Sequence, residues 1–221
     1  MSQSVSERLR QAAAPIWEKC LRHPFVTAIG DGTLGVEKFQ YFMLQDYLYL
    51  FDYAKVFALG VVKAQGRALM QTFAKNVDAI LGGEMNIHRA YMERLGITEE
   101  QVFAVKPALD NTSYTHYMLA VAESGSPMEI VASILSCSWS YAEIGQALAK
   151  LPGAADHPFY GEWVRGYASE DYAATNQALM DLMDELAEGI TEAQFDRLAE
   201  IFVNCSRYEL GFWDMAWEMR P

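Results

Sequence analysis

Histidine and cysteine are scarce in this sequence, with four and three among 221 residues. The cysteines, Cys20, Cys137 and Cys205, are odd in number and form no CxxC pair, which excludes a disulfide framework and a zinc ribbon. The histidines show no HExxH or paired ExxH spacing. No glycine-rich phosphate loop follows a strand, and GxSxG is absent. Basic residues are few as well, 17 against 29 acidic ones, giving a formal charge of −12. Such a surface repels phosphate backbones and anionic lipid, so neither nucleic acid nor a membrane surface is an expected partner. The opening MSQSVSERLRQAAAPIWEKC has no long apolar core and no cleavage signal, and reads as the start of a first helix. Together these absences point to a reducing cytoplasm.

What is present is apolar and helical. Apolar residues make up 52% of the chain, which suits one large domain with a substantial core or at most two small ones, and with no linker or low-complexity tract a single domain over 1–221 is expected. The longest apolar run, FQYFMLQDYLYLFDYAKVFALGVV, carries Gln45, Asp46, Asp52 and Lys55. Each is costly in hydrocarbon, so a buried helix of a bundle is expected rather than a membrane span. Hydrophobic periodicity predicts helices near 5–22, 36–64, 66–94, 107–124, 127–150, 158–188 (broken near 170) and 191–219. Turn clusters separate them at GDGTLG (30–35), LGITEE (95–100), ESGSP (123–127) and LPGAADHP (151–158). Ser126-Pro127-Met128-Glu129 and Thr191-Glu192-Ala193-Gln194 are capping boxes. The tripeptide HPF occurs at 23–25 and 157–159 in surroundings that do not repeat. The expected fold class is an all-α bundle.

Helical faces single out two carboxylates. In 191–219, Arg197, Glu200, Asn204, Arg207, Asp214 and Glu218 form a wet stripe, and Glu209 points about 180° away from it. Its neighbours there are Phe202, Cys205, Phe212, Trp213 and Ala216. A carboxylate in that company is expected to be paired or to have a raised pKa. In 36–64, Lys38, Gln45, Asp52 and Lys55 mark the wetter side, and Asp46 lies about 100° from it, among Phe39, Phe42, Tyr49, Tyr53 and Phe57. Either carboxylate is a structural group or a functional one.

The run SCSWSY (136–141) places a thiol among serines inside a helix, where serine competes for backbone hydrogen bonds. Glu129, Ser136, Ser140, Glu143 and Lys150 read as its wet or boundary stripe, with Cys137 about 100° round. A lone helical cysteine is often a small packing group, and the serines fit either close helix approach or a polar pocket. Glu84 and His88, one turn apart in EMNIH, read as an exposed acid–histidine contact more readily than as half of a metal site.

The order of several motifs resembles the TenA/thiaminase II family over essentially the whole chain. They are HPF (23–25), DGTL (31–34), FQYFMLQDYLYL (39–50), SY (113–114), CSWSYAEIG (137–145), HPFYGEWVRGYAS (157–169) and RYELGFWDMAW (207–217). Cys137 puts the chain with the members that keep the cysteine. One departure is SCSW, where many relatives have proline before the cysteine. The resemblance implies a haem-oxygenase-like helical fold without haem, usually a homotetramer, and a pocket for a small-molecule aminopyrimidine or thiamine. It implies hydrolysis of 4-amino-5-aminomethyl-2-methylpyrimidine to the hydroxymethylpyrimidine and ammonia, with no metal and no organic cofactor. Carried over motif by motif, Cys137 is the nucleophile, Glu209 the general acid/base and Asp46 the group that binds and polarises the ring. Tyr49, Tyr114, Tyr141, Tyr167 and Phe212 line the pocket. Two rival classes stay open. One is a haem-oxygenase-like metal enzyme using His88 or His23 with Glu84. The other is a non-catalytic helical partner or regulatory protein in which Cys137 is packing.

Overall fold

A computed structural model describes residues 3–221. Among these residues the regular structure is helical, with no strand. The order is α1 (Val5–Leu21), α2 (Pro24–Gly30), α3 (Val36–Lys63), α4 (Arg67–Asp78), a π-helical turn (Ala79–Glu84), α5 (Met85–Arg94), α6 (Glu99–Ala104), α7 (Leu109–Ser124), α8 (Pro127–Ala149), α9 (Gly161–Ala168), α10 (Glu170–Leu186) and α11 (Glu192–Glu218). No helix is long and apolar enough to cross a membrane among the described residues. The chain forms two compact units: residues to Leu34 with Val131–Trp217, and Gly35–Ile130 with Glu218–Pro221.

In the first unit, α1, α8 and α11 meet around a buried polar knot. Trp17 Nε1 donates to Ser206 Oγ at 2.9 Å, Ser206 Oγ donates to the Phe202 carbonyl at 2.9 Å, and Ser136 Oγ lies 2.9 Å from Ser206 Oγ. At the half-buried edge, Arg10 grips Glu143 with two bonds of 2.7 and 2.6 Å. Both HPF tripeptides do the same local work. The Nδ1 of His23 accepts the Phe25 N–H at 3.1 Å, and that of His157 accepts the Phe159 N–H at 3.2 Å. Each histidine satisfies a donor at the start of a turn that follows a proline. His157 also covers Gly32, which has φ +75°, and a Cβ there would strike the imidazole. Only glycine takes that conformation and leaves that room.

In the second unit, α3 packs along α4, α5 and α7. Gly60 gives α3 its close approach to Phe73, whose ring occupies the space of a Cβ. Gln45 ties α3 to the start of α7: its Oε1 accepts the Ala108 N–H at 2.9 Å, and its backbone carbonyl accepts from Asn111 Nδ2 at 2.7 Å.

Both expected capping boxes form, at Ser126/Glu129 and Thr191/Gln194. The expected break near 170 falls at Ser169, whose hydroxyl accepts the Tyr172 N–H and starts α10. Several expectations are corrected. Residues 24–30 form α2, started by His23 and Pro24. LGITEE is more than a turn, because Thr98 closes a capping box with Gln101 and opens α6. Gln45, Ser136 and Ser140 are buried rather than wet. Ser136 joins the polar knot, and Ser140 Oγ donates back to the Cys137 carbonyl at 3.0 Å. A polar side chain with an internal partner can sit on an inward face that periodicity reserves for apolar ones.

The predicted helix 66–94 is interrupted by the π-helical turn. On a straight α-helix at about 100° per residue, Phe73, Ile80 and Ile87 lie within about 40° of one another, and Met85 about 120° from Phe73. In the structure Ile87 is 48% exposed, while Met85 and His88 are buried. The wider i→i+5 turn at Ala79–Glu84 rotates everything after it and brings His88 inward.

Candidate active site

The first unit carries five of the expected residues. Glu209 is 2% exposed on α11, one turn before the buried Phe212. The face that the sequence marked as dry is dry. Cys137 is half-buried on α8, one turn before Tyr141. Tyr141 and Tyr167 meet with ring centroids 4.9 Å apart, and Tyr141 lies 5.2 Å from Trp213. Trp163 joins the group, 4.7 Å from Tyr167. These tilted and edge-on rings make an aromatic cluster with a thiol on one of its helices.

The other two cysteines are unlike Cys137. Burial pushes the Cys20 thiol up to about 12, helped by the negative charges of Glu209 and Asp214. Burial, and after it Glu209, raises Cys205 well above the ordinary thiol range. Neither supplies a thiolate near neutral pH.

The second unit carries Asp46, Tyr49 and Tyr114. Tyr49 stacks on Tyr53 at 5.3 Å, meets Tyr114 at 5.4 Å, and donates its hydroxyl to Met118 Sδ at 3.7 Å. Asp46 is 5% exposed, and its Oδ2 lies 2.6 Å from His88 Nε2. The expected exposed contact between Glu84 and His88 is thereby corrected. His88 is 2% exposed, and its partners are the Asp46 carboxylate and, at 3.0 Å from Nδ1, the Glu84 carbonyl. Burial opposes the charged ring, but the hydrogen bond and charge of Asp46, with Glu84 behind them, outweigh it and raise the His88 pKa. Periodicity read His88 as part of an exposed acid–histidine contact, or less readily as half of a metal site, because a π-helical turn is invisible to a 3.6-residue period.

Both ring nitrogens of His88 and of His23 are thus engaged by protein groups; His23 Nε2 lies 3.2 Å from Asp214 Oδ1. Among the described residues no group of three or more His, Cys, Asp or Glu side chains is arranged to hold a metal ion.

Among the described residues the fold is helical, with a half-buried thiol, a buried glutamate and a buried histidine–aspartate pair. A profile of the TENA/THI-4/PQQC family matches residues 10–219. The chain belongs to that family. Among curated relatives, a protein of Halalkalibacterium halodurans named "Aminopyrimidine aminohydrolase" is 48% identical over 217 residues, covering 98% of this chain and 97% of the relative. Among solved structures, a TenA homologue of P. horikoshii OT3 superimposes with a TM-score of 0.90 at 32% identity, covering 98% and 99% of the two chains. A Shewanella denitrificans domain with a haem-oxygenase-like fold gives a TM-score of 0.78 at 17% identity over 96% and 92%, a likeness of fold alone. The expected fold class is therefore the observed one.

Proposed function

We propose that this chain is an aminopyrimidine aminohydrolase of the thiaminase II type. It converts 4-amino-5-aminomethyl-2-methylpyrimidine and water to the hydroxymethylpyrimidine and ammonia in thiamine salvage, and thiamine is a second candidate substrate. The observation that carries this reading is kinship along nearly the full length with a relative of that name. The burial of Glu209 and Asp46 and the contrast between Cys137 and the two shut cysteines support it. The continuous family match over 10–219 also supports it.

In this reading Asp46 accepts a hydrogen bond from the pyrimidine edge and favours the cationic, electron-poor ring. The Cys137 sulfur adds to the ring at C6, forming a C–S bond and pushing electrons toward the exocyclic methylene. Glu209 protonates the departing amine as the C–N bond breaks. It then takes a proton from the water that adds to the methylene, and loss of the thiolate restores the ring. Tyr49, Tyr114, Tyr141, Tyr167 and Phe212 hold the flat base and exclude water. The protein is proposed to work in the cytoplasm as a homotetramer, which light scattering tests.

Turnover in ¹⁸O-labelled water tests the reaction. The expected product is the hydroxymethylpyrimidine with one ¹⁸O, formed with one equivalent of ammonia. Recovery of unchanged aminomethylpyrimidine contradicts the proposal.

A further inference from the structure

A buried imidazole between two acceptors has few ways to arrange its protons. His88 Nδ1 faces the Glu84 carbonyl at 3.0 Å, and a carbonyl only accepts, so Nδ1 carries hydrogen. Nε2 faces Asp46 Oδ2 at 2.6 Å, within the range of a charge-assisted bond. A neutral imidazole has one N–H; two N–H groups require the imidazolium. Both side chains are more than nine-tenths buried, so water does not compete for either contact. Among the described residues Asp46 Oδ1 makes no hydrogen bond. One carboxylate oxygen is held and the other is left as a bare acceptor.

The backbone is shaped for this arrangement. The π-helical turn ends at Glu84, so the carbonyl that orients His88 is the last one of the turn that rotates it inward. His88 gives the buried Asp46 carboxylate a partner, where an unpaired one would be costly.

We propose that His88 is a positioning residue of the active site, fixing Asp46 through Oδ2 so that Oδ1 is presented to an N–H donor on the aminopyrimidine edge. The imidazolium also offsets the cost of burying the Asp46 carboxylate. This inference rests on the role proposed above for Asp46. His88 touches no reacting atom and acts only through that carboxylate.

Two measurements test it. In ligand-free protein with ¹⁵N-labelled histidine, His88 shows both ring nitrogens protonated at neutral pH, and Asp46→Asn removes that state. A neutral His88 in the wild-type chain overturns the proposal without reference to any substrate. In kinetics on the aminomethylpyrimidine, His88→Phe loses roughly 10–100-fold in kcat/KM, the range for a lost hydrogen bond to a charged group. Most of that loss falls in KM and in hydroxymethylpyrimidine affinity. His88→Gln, which keeps one donor, recovers part of it. In the Asp46→Asn background, His88→Phe changes little further. Multiplicative losses in the double variant overturn the proposal. A folded wild-type chain with no turnover refutes the functional reading instead, and the imidazole measurement then decides the pairing alone.

Discussion

Gly145 on α8 lies directly against the backbone of Tyr167 on α9: a Cβ at 145 would come within 2.6 Å of the Tyr167 carbonyl carbon and 2.8 Å of the Ala168 nitrogen. Backbone cannot swing aside as a flexible side chain can, so Gly145→Ala must push α9 outward. Overpacking of this kind costs about 1–3 kcal/mol. Because Tyr167 meets Tyr141 in a tilted ring contact at 4.9 Å, the same displacement opens the aromatic cluster. The expected result is a lower denaturant midpoint together with weaker hydroxymethylpyrimidine binding. Full retention of both contradicts the assigned contact.

The cysteines differ in their expected reactivity. Cys20 and Cys205 are buried with raised pKa values, Cys20 to about 12, so both stay thiols at pH 7–8. Cys137 is half-buried. Limiting iodoacetamide followed by mass mapping should find Cys137 labelled first, with loss of turnover in proportion. First labelling of Cys20 or Cys205, with full activity in Cys137→Ser, removes Cys137 as the nucleophile.

Ser206 holds the polar knot of the first unit. Ser206→Ala leaves Trp17 Nε1 and Ser136 Oγ without the oxygen they share. An unsatisfied buried polar group costs about 1–3 kcal/mol. Urea unfolding should show that loss. An unchanged midpoint means that the two groups find other partners.

Much of this was readable along the chain, for definable reasons. Glu209 and Asp46 were legible because each sits on a long α-helix whose polar stripe is clear, and a 100° step per residue places them opposite or aside from it. Gln45, Ser136 and Ser140 were misplaced by the same rule. Gln45 is satisfied by Ala108 and Asn111, and Ser136 by Ser206, partners 63, 66 and 70 residues away along the chain. No local pattern reports such distant partners. His88 was misplaced because a π-helical turn shifts the phase of the helix. The Thr98/Gln101 capping box, by contrast, was a local signal available for α6.

His88 also gives a pH dependence of stability. Its folded pKa is raised, through Asp46 and Glu84 against the opposing effect of burial. The folded state therefore binds the proton more tightly than the unfolded chain, whose histidine titrates near roughly 6.5. The stabilisation is full below that value and is lost as pH rises through the folded pKa. The Tm difference between wild type and His88→Gln should be largest near pH 6 and shrink at alkaline pH. A difference that grows with pH contradicts the imidazolium assignment.

The central claim is that Glu209 moves protons in an aminohydrolase reaction, and one comparison tests it most directly. Ammonia release from the aminomethylpyrimidine is measured for wild type and Glu209→Gln side by side, with circular dichroism as the folding control and thiamine as a second substrate. The amide keeps the size of the buried carboxyl and removes its proton exchange. Wild type should release ammonia, and the variant, equally folded, should lose roughly 10²–10⁴ in turnover, the range for a general acid–base. Hydroxymethylpyrimidine affinity should change little. Near-normal turnover by folded Glu209→Gln contradicts the account.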